Sequence, residues 1–316
     1  MLMLLKRGSK KARRKLQSAM EYLMTYGWAI LVIGLILGTL YFLGVFNTAN
    51  LAPRAPPGAC TIYRPEGPGS TANLNLEGTC GDVYPQFILQ SRGIGDYVDV
   101  HGSNSPASIL NVQTNNITIT AWVMVIGSPY HDIVDKEDQY GMKIDYNNYP
   151  HSCTPSNALG FCLEWDTTGS WIGQSFPIPG AGFGKWMFLA VTMQGDEKFW
   201  YANGQMIGNA IVPGTISYAD SNFTIGAIST GYSGYGEAEW FNGSLSNVQV
   251  YDAALTPQEI QSLYAEGIGG PPINLPETIG WWPLNGNAND YSGNDNTGYI
   301  VNQTSIDTWV PNYPTP

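Results

Sequence analysis

Glu164-Trp165-Asp166 places two carboxylates at alternating positions, and alternating residues of a strand share a face. Retaining glycoside hydrolysis needs two carboxyls about 5 to 5.5 Å apart, so this stretch could supply an acid and a nucleophile. His101, His131 and His151 are scattered and belong to no metal-spaced or triad-like motif, which leaves them as surface loop residues. Hard cations take oxygen ligands from loops. The loop NANDYSGNDNTG, Asn287 to Gly298, offers Asp290, Asn294 and Asp295, with backbone carbonyls, as a calcium site. An Asx/Gly-rich turn with no metal affinity would have the same composition. Asp132, Asp135 and Asp138 form a second acidic patch, expected to be a solvated hairpin. Sugar binding needs aromatic faces beside polar groups on exposed loops. GYSGYGEAEW, Gly231 to Trp240, fits that description, with Tyr232 and Tyr235 and, from elsewhere, Trp171 as stacking candidates. Most of the ten tryptophans fall on strand patterns and read as packing.

One further carboxylate, Glu21, sits just inside the N-terminal end of a long apolar run. No residue from Tyr22 to Phe46 is charged, and a helix of that length measures about 37 Å at 1.5 Å per residue. A hydrocarbon core is about 30 Å thick, so the run can span a bilayer. Seven of the fourteen basic residues lie between Lys6 and Lys15. That bias predicts a cytoplasmic N-terminus and an extracellular chain after Phe46. Beyond residue 16 the chain has 7 basic and 25 acidic residues, a net charge of −18, which excludes nucleic acid as a partner bound through charge.

All four cysteines, Cys60, Cys80, Cys153 and Cys162, come after the apolar run. Of three connectivities, the sequence-local one, Cys60 with Cys80 and Cys153 with Cys162, is expected in an oxidising exterior. Glycosylation sequons at Asn116, Asn222, Asn242 and Asn302 lie on the same side. NTANLAPRAPPG, Asn47 to Gly58, reads as an extended, semi-rigid spacer. Residues 59 to 316 suffice for one large β domain, built of short strands divided by Gly, Asn, Pro and Ser clusters. NITITAWVMVI, residues 116 to 126, is apolar on both faces by its end and predicts a strand buried on both sides. Asn203-Gly204 between two strand-like runs predicts a hairpin. Thr256, Pro257 and Glu259 predict a capped helix whose apolar side is Ile260, Leu263 and Tyr264.

On GIGDYVDV (93 to 100), ITITAWVMV (117 to 125), KWMFLAVTMQGDEKFWYANGQMIG (185 to 208) and above all FNGSLSNVQVYDAALTPQEIQSLY (241 to 264), the exterior part resembles the laminin-G-like jelly-roll family, related to concanavalin A-type lectins. The resemblance implies a mainly β fold, a jelly-roll sandwich, here preceded by the one long N-terminal helix that the apolar run predicts. Related domains often hold calcium. IGWWPLNGNANDYSGNDNTG, Ile279 to Gly298, looks like the segment that normally opens such a domain, yet here it closes the chain. A circular permutation with a closing strand within 279–301 is therefore expected, because the remaining tail is too short to bury a core alone. Glu164-Trp165-Asp166 resembles the first part of the β-sandwich glycosidase signature Glu-x-Asp-x-x-Glu, but Gly169 stands where its second Glu should fall. No catalyst is expected on that account.

KKARRKLQSAMEYLMTYGWAILVI resembles an archaeal class III signal peptide followed by a type IV pilin-like helix, in its basic leader, Gln-Ser pair, Glu at the fifth position from the Gln, and apolar run. That resemblance implies a prepilin peptidase cutting between Leu16 and Gln17, although Leu16 stands where Gly or Ala is usual. After a cut, the Gln17 α-ammonium, with an ordinary pKa of about 7.7 to 8.0, could pair with Glu21 of its own or a neighbouring chain. An unpaired carboxylate in apolar surroundings costs several kcal/mol, so such pairing would select axial register and drive self-association. Otherwise Glu21 merely complements the helix macrodipole. Gly34-x-x-x-Gly38, with Gly27 one heptad earlier, would allow close helix contact. The expected layout is a leader at 1–16, a helix at 17–46, a linker at 47–58, a disulfide-closed opening segment at 59–90 and a β-sandwich at 91–316. The expected function is a surface adhesion subunit whose head binds glycan or protein. An uncleaved, membrane-anchored lectin is the alternative, and a surface glycosidase the weaker one.

Overall fold

The computed structural model describes residues 26–39, 61–63, 73–75, 85, 87–127, 130–146, 161–167, 170–213, 215–229, 239–302 and 309–311. The chain divides into two units, Met1–Arg54 and Ala55–Pro316.

In the first unit residues 26–39 form a helix, α1. Its apolar side chains, among them Trp28, Ile30, Leu31, Ile33, Leu35 and Ile36, are exposed all round the circumference. A Cβ at Gly27, Gly34 or Gly38 would meet nothing within 4 Å. Of the expected helix 17–46 only residues 26–39 are described, and among the described residues no helix is long and apolar enough to cross a membrane. Leu16, Gln17, Glu21 and the linker 47–58 lie outside the described residues.

The second unit begins with an antiparallel pair, β1 (Thr61–Tyr63) and β2 (Asn73–Asn75). The strands β3 (Phe87–Arg92), β4 (Tyr97–Val100), β5 (Asn116–Val125), β6 (Tyr130–Lys136), β7 (Tyr140–Tyr146), β8 (Phe161–Thr167) and β9 (Ser170–Pro177) come next. After them come β10 (Trp186–Gln194), β11 (Glu197–Ala202), β12 (Gln205–Ile211), β13 (Phe223–Ile225) and β14 (Asn242–Tyr251). A helix, α2 (Pro257–Glu266), then leads to β15 (Thr278–Trp282), β16 (Tyr299–Val301) and β17 (Trp309–Pro311). An eight-stranded sheet runs β12-β11-β10-β5-β14-β3-β17, with β15 also on β14. A seven-stranded sheet runs β16-β4-β13-β6-β7-β8-β9. Every pairing is antiparallel, as in the sandwich expected from the sequence.

The core lies between the inward faces of these sheets. Ile117, Ile119, Ala121, Val123 and Val125 of β5 alternate into one cluster with Val98, Met142, Ile144, Leu163, Trp165 and Phe223 of the other sheet. Burial of each large apolar side chain contributes about 1.5–3 kcal/mol, so this layer dominates the stability. The opposite face of the eight-stranded sheet is covered as well: Phe188, Ala190, Tyr201 and Tyr251 pack with Leu255, Ile260 and Leu263 beside α2, and Trp122 joins them. This is why β5 is apolar on both faces. The hairpin forms at Asn203 (φ 49°) and Gly204 (φ 75°), the left-handed pair that Asn-Gly favours. Thr256 caps α2 in a full capping box with Glu259.

One acid in this region is badly placed for an anion. Glu266 ends α2, where the helix dipole disfavours negative charge, and its Oε2 is buried without a hydrogen-bond partner. Burial pushes its carboxyl up to about 7 from an ordinary 4.5. A raised pKa means that the folded chain holds the proton more tightly, so its contribution is complete below about pH 4.5 and is lost as pH rises through 7. At pH 8, Glu266→Gln should raise stability by about 1–2 kcal/mol, scaled down from 1.36 kcal/mol per pKa unit for partial exposure. At about pH 4 the substitution should change nothing; equal melting shifts at both pH values would contradict the assignment.

The C-terminal segment is woven into the sandwich. Residues Asn242–Leu245 of β14 pair with β3, and Val248–Tyr251 pair with β15, so two strands lie end to end along one flank of β14. Trp282 of β15 stacks on Phe223 of the opposite sheet, ring centroids 5.0 Å apart, and its Nε1 donates to Asn296 O at 2.9 Å. Leu284 and Ala288 continue into the same core.

Candidate functional site

The outward face of the seven-stranded sheet is polar, and strand register assembles it. Directly paired residues share a face. One row crosses β6, β7, β8 and β9 as Asp132, Lys143, Glu164 and Ser175. A second crosses six strands as Tyr299, Asp99, Thr224, Asp135, Gly141 and Asp166. Asp132 and Asp135, three residues apart, reach the same side because a bulge at Ile133 adds one residue between Asp132 and Val134. Ile133 and Val134 both turn into the core. Asp132 and Asp135 are therefore buried, not the solvated hairpin expected from the sequence; Asp138 alone is exposed, in the turn at φ 60°.

The charges on this face are tied together. Lys143 Nζ lies 3.3 Å from Asp132 Oδ1 and 3.1 Å from Glu239 Oε2. Asp135 Oδ2 accepts from the Ser229 backbone N–H at 2.9 Å and its hydroxyl at 3.0 Å. Gly141 leaves the space that its carboxylate needs, since a Cβ there would lie 2.9 Å from Asp135 Oδ1. Burial, reinforced by Asp135, pushes Glu137 up to about 8 from 4.5. Burial also lowers Lys136 to about 8, although its Nζ donates to Ser103 O and Ser221 O. At the sheet's edge His101 Nδ1 lies 2.8 Å from Asp99 Oδ2, with its ring against Tyr299.

Glu164 and Asp166 thus stand on this face, as alternating residues of β8. Glu164's neighbours in its row are Lys143 and Ser175 rather than a second carboxylate. Trp171 lies on β9; its side chain, Tyr232, Tyr235, Gly169 and His151 lie outside the described residues. Cys162 is disulfide-bonded, while Cys60, Cys80 and Cys153 lie outside them. Asn116 and Asn302 are exposed and Asn222 is half-buried. Asn242 is wedged instead: a Cβ at Gly93 would come within 2.8 Å of its Cβ, and one at Gly127 within 3.2 Å of its Nδ2.

The expected calcium loop is built on protein donors. Asp290 Oδ1 accepts from the backbone N–H groups of Trp281 and Ser292, each at 2.9 Å. Its Oδ2 accepts from the Ser292 hydroxyl at 2.8 Å and the Asn296 N–H at 2.9 Å. Asn294 turns its amide nitrogen toward Thr278 O at 3.0 Å, and Asp295 projects outward at φ 58°. Among the described residues no group of three or more His, Cys, Asp and Glu could hold a metal ion. Sequence reasoning missed the Asp132–Lys143–Glu239 cluster, whose members are distant in the chain and carry no motif.

No curated protein matches the sequence. Among solved structures, a candidate carbohydrate-binding protein from Bacteroides ovatus is 15% identical with a TM-score of 0.51, and the match covers 74% of this chain and 64% of that one. The native heptameric SAP-like pentraxin from Limulus polyphemus is 16% identical, covering 58% and 82% with a TM-score of 0.43. The CBM40 of Ruminococcus gnavus IT-sialidase, bound to alpha2,3 sialyllactose, is 18% identical, covering 57% and 100% with a TM-score of 0.39. Residues 92–261, more than half of the chain, match the Laminin_G_3 family, and the chain belongs to this concanavalin A-like lectin/glucanases superfamily.

Proposed function

We propose that the β domain is a glycan-recognition head displayed at the cell surface. The observation that carries this reading is the polar outer side of the seven-stranded sheet, where Glu164 and Asp166 alternate along β8, in a member of the concanavalin A-like lectin/glucanases superfamily. Carboxylates on a rigid sheet suit the hydroxyl groups of a sugar. The carbohydrate-binding description of the Bacteroides ovatus structure supports it.

The full chain in detergent, applied to a glycan array, should bind a subset of glycans saturably without releasing sugar. Glu164→Gln and Asp166→Asn should each weaken binding at least tenfold. Binding to no glycan would overturn the reading, and release of sugar that Glu164→Gln abolishes would replace it with the glycosidase.

The N-terminal unit is the means of display. An α1 exposing Trp28, Ile30, Ile33 and Ile36 around its circumference needs apolar surroundings. A membrane or a filament of parallel copies would provide them, with the basic leader cytoplasmic and the head outside. Cleavage after Leu16 makes the chain a pilin-like subunit in which Gln17 and Glu21 pair. N-terminal sequencing from the native membrane separates the readings: Gln17 supports the subunit, Met1 the anchored lectin.

A further inference from the structure

We propose that Lys143 and Asp132 are joined by a side-chain amide bond, formed spontaneously after folding with Glu239 carrying the proton. The three groups are held together by the fold itself. Asp132 and Lys143 are direct partners on β6 and β7. The Asp132 backbone N–H donates to Glu239 O at 3.3 Å, which fixes Glu239 alongside. Lys143 Nζ lies 3.3 Å from Asp132 Oδ1 and 3.1 Å from Glu239 Oε2, and the side chains of Asp132 and Lys143 are 0% and 4% exposed.

A plain ion pair does not account for this arrangement. A buried carboxylate is stable only when its oxygens accept hydrogen bonds, yet apart from the Lys143 ammonium, 3.3 Å from Oδ1, no donor meets the Asp132 oxygens. Three ionised groups would also leave two negative charges against one positive charge. Burial drives the Asp132 carboxyl well above the usual range; Lys143 opposes the shift, and Glu239 and Asp135 add to it. That shift favours the neutral acid, the form of a carboxyl that an amine can attack, and the Glu239 carboxylate, 21% exposed, lies where it can accept a proton from the ammonium. Reacting atoms fixed near contact distance have high effective molarity, and a dry site favours loss of water over hydrolysis.

The step balances without a further reactant. Glu239 takes one proton from the Lys143 ammonium, and the Nζ lone pair forms a bond to Asp132 Cγ. Glu239 returns that proton to the hydroxyl, whose C–O bond breaks as water leaves. Nζ loses its second proton to the medium through Glu239 and keeps one as the amide N–H. The sum is one amine and one carboxylic acid giving one amide and one water.

Peptide mass mapping of the reduced, deglycosylated full chain tests this. Trypsin should give peptide 93–136 joined to peptide 137–185, uncut after Lys143 and one water lighter than their sum. Lys143→Arg should abolish the joined species. Glu239→Gln should lower its yield at least tenfold while leaving the circular dichroism of the β domain unchanged. Cleavage of the wild-type chain after Lys143, with Asp132 at full sequence mass, would overturn the proposal, and that measurement requires no variant to fold.

Discussion

Replacing Trp282 with alanine should destabilise the β domain by about 4 kcal/mol, in the range for a large aromatic removed from a core. At roughly 2–4 °C per kcal/mol for a domain of this size, the melting temperature of the full chain should fall by about 10 °C. The side chain is fully buried, stacks on Phe223 across the two sheets, and gives its indole N–H to Asn296 O. Its loss therefore removes a contact between layers and orphans a carbonyl in the loop beyond β15. Ending the chain at Thr278 should be more severe, because it also takes away Ile279, Leu284 and Ala288 from the core and strips β14 of β15 on one flank. Such a chain should show no cooperative thermal transition. A truncated protein melting where the intact one does would contradict both expectations, and with them the proposed circular permutation.

Asp290→Ala should cost about 3 kcal/mol, because four donors lose a charged acceptor: three backbone N–H groups and the Ser292 hydroxyl. Hydrogen bonds to charged groups contribute about 1.5–3 kcal/mol each but do not add fully within one network. The loss should appear as a fall in melting temperature of roughly 6–12 °C. Calcium provides the contrasting measurement. If Asp290 acts as the staple of its loop, calcium followed by a chelator leaves the wild-type melting temperature unchanged. A calcium-dependent rise in the wild type that Asp290→Ala abolishes would instead make the loop a metal site.

Local chemistry was legible in the sequence wherever it is decided by neighbours in the chain. Asn203-Gly204 takes its two positive φ angles because few other pairs can, and Thr256 with Glu259 closes its capping box within one helical turn. The two-sided burial of β5 was legible because both of its faces are apolar. The loop at Asp290 was legible only as a composition: an acid among Asn, Ser and Gly can face a cation or backbone N–H groups, and one of its donors, the Trp281 N–H, comes from β15, outside the loop. The Asp132–Lys143–Glu239 cluster was illegible for a stronger reason. Its members belong to β6, β7 and the approach to β14, and only strand register makes neighbours of them. The leader, Glu21 and the tyrosines Tyr232 and Tyr235 lie outside the described residues, so the pilin-like part rests on its sequence pattern and on the exposed apolar circumference of α1.

The bulge at Ile133 makes one residue of β6 dispensable to the outer face. Deleting it would restore strict alternation and leave Asp132 and Asp135 two residues apart, still on one side opposite Lys143 and Gly141. What the deletion would remove is an apolar side chain from the core, since Ile133 and Val134 both turn inward. A residue inserted between Asp132 and Asp135 has the contrary effect, because it would send the two carboxylates to opposite sides of the sheet. Related chains should therefore tolerate a gap at this position better than an insertion.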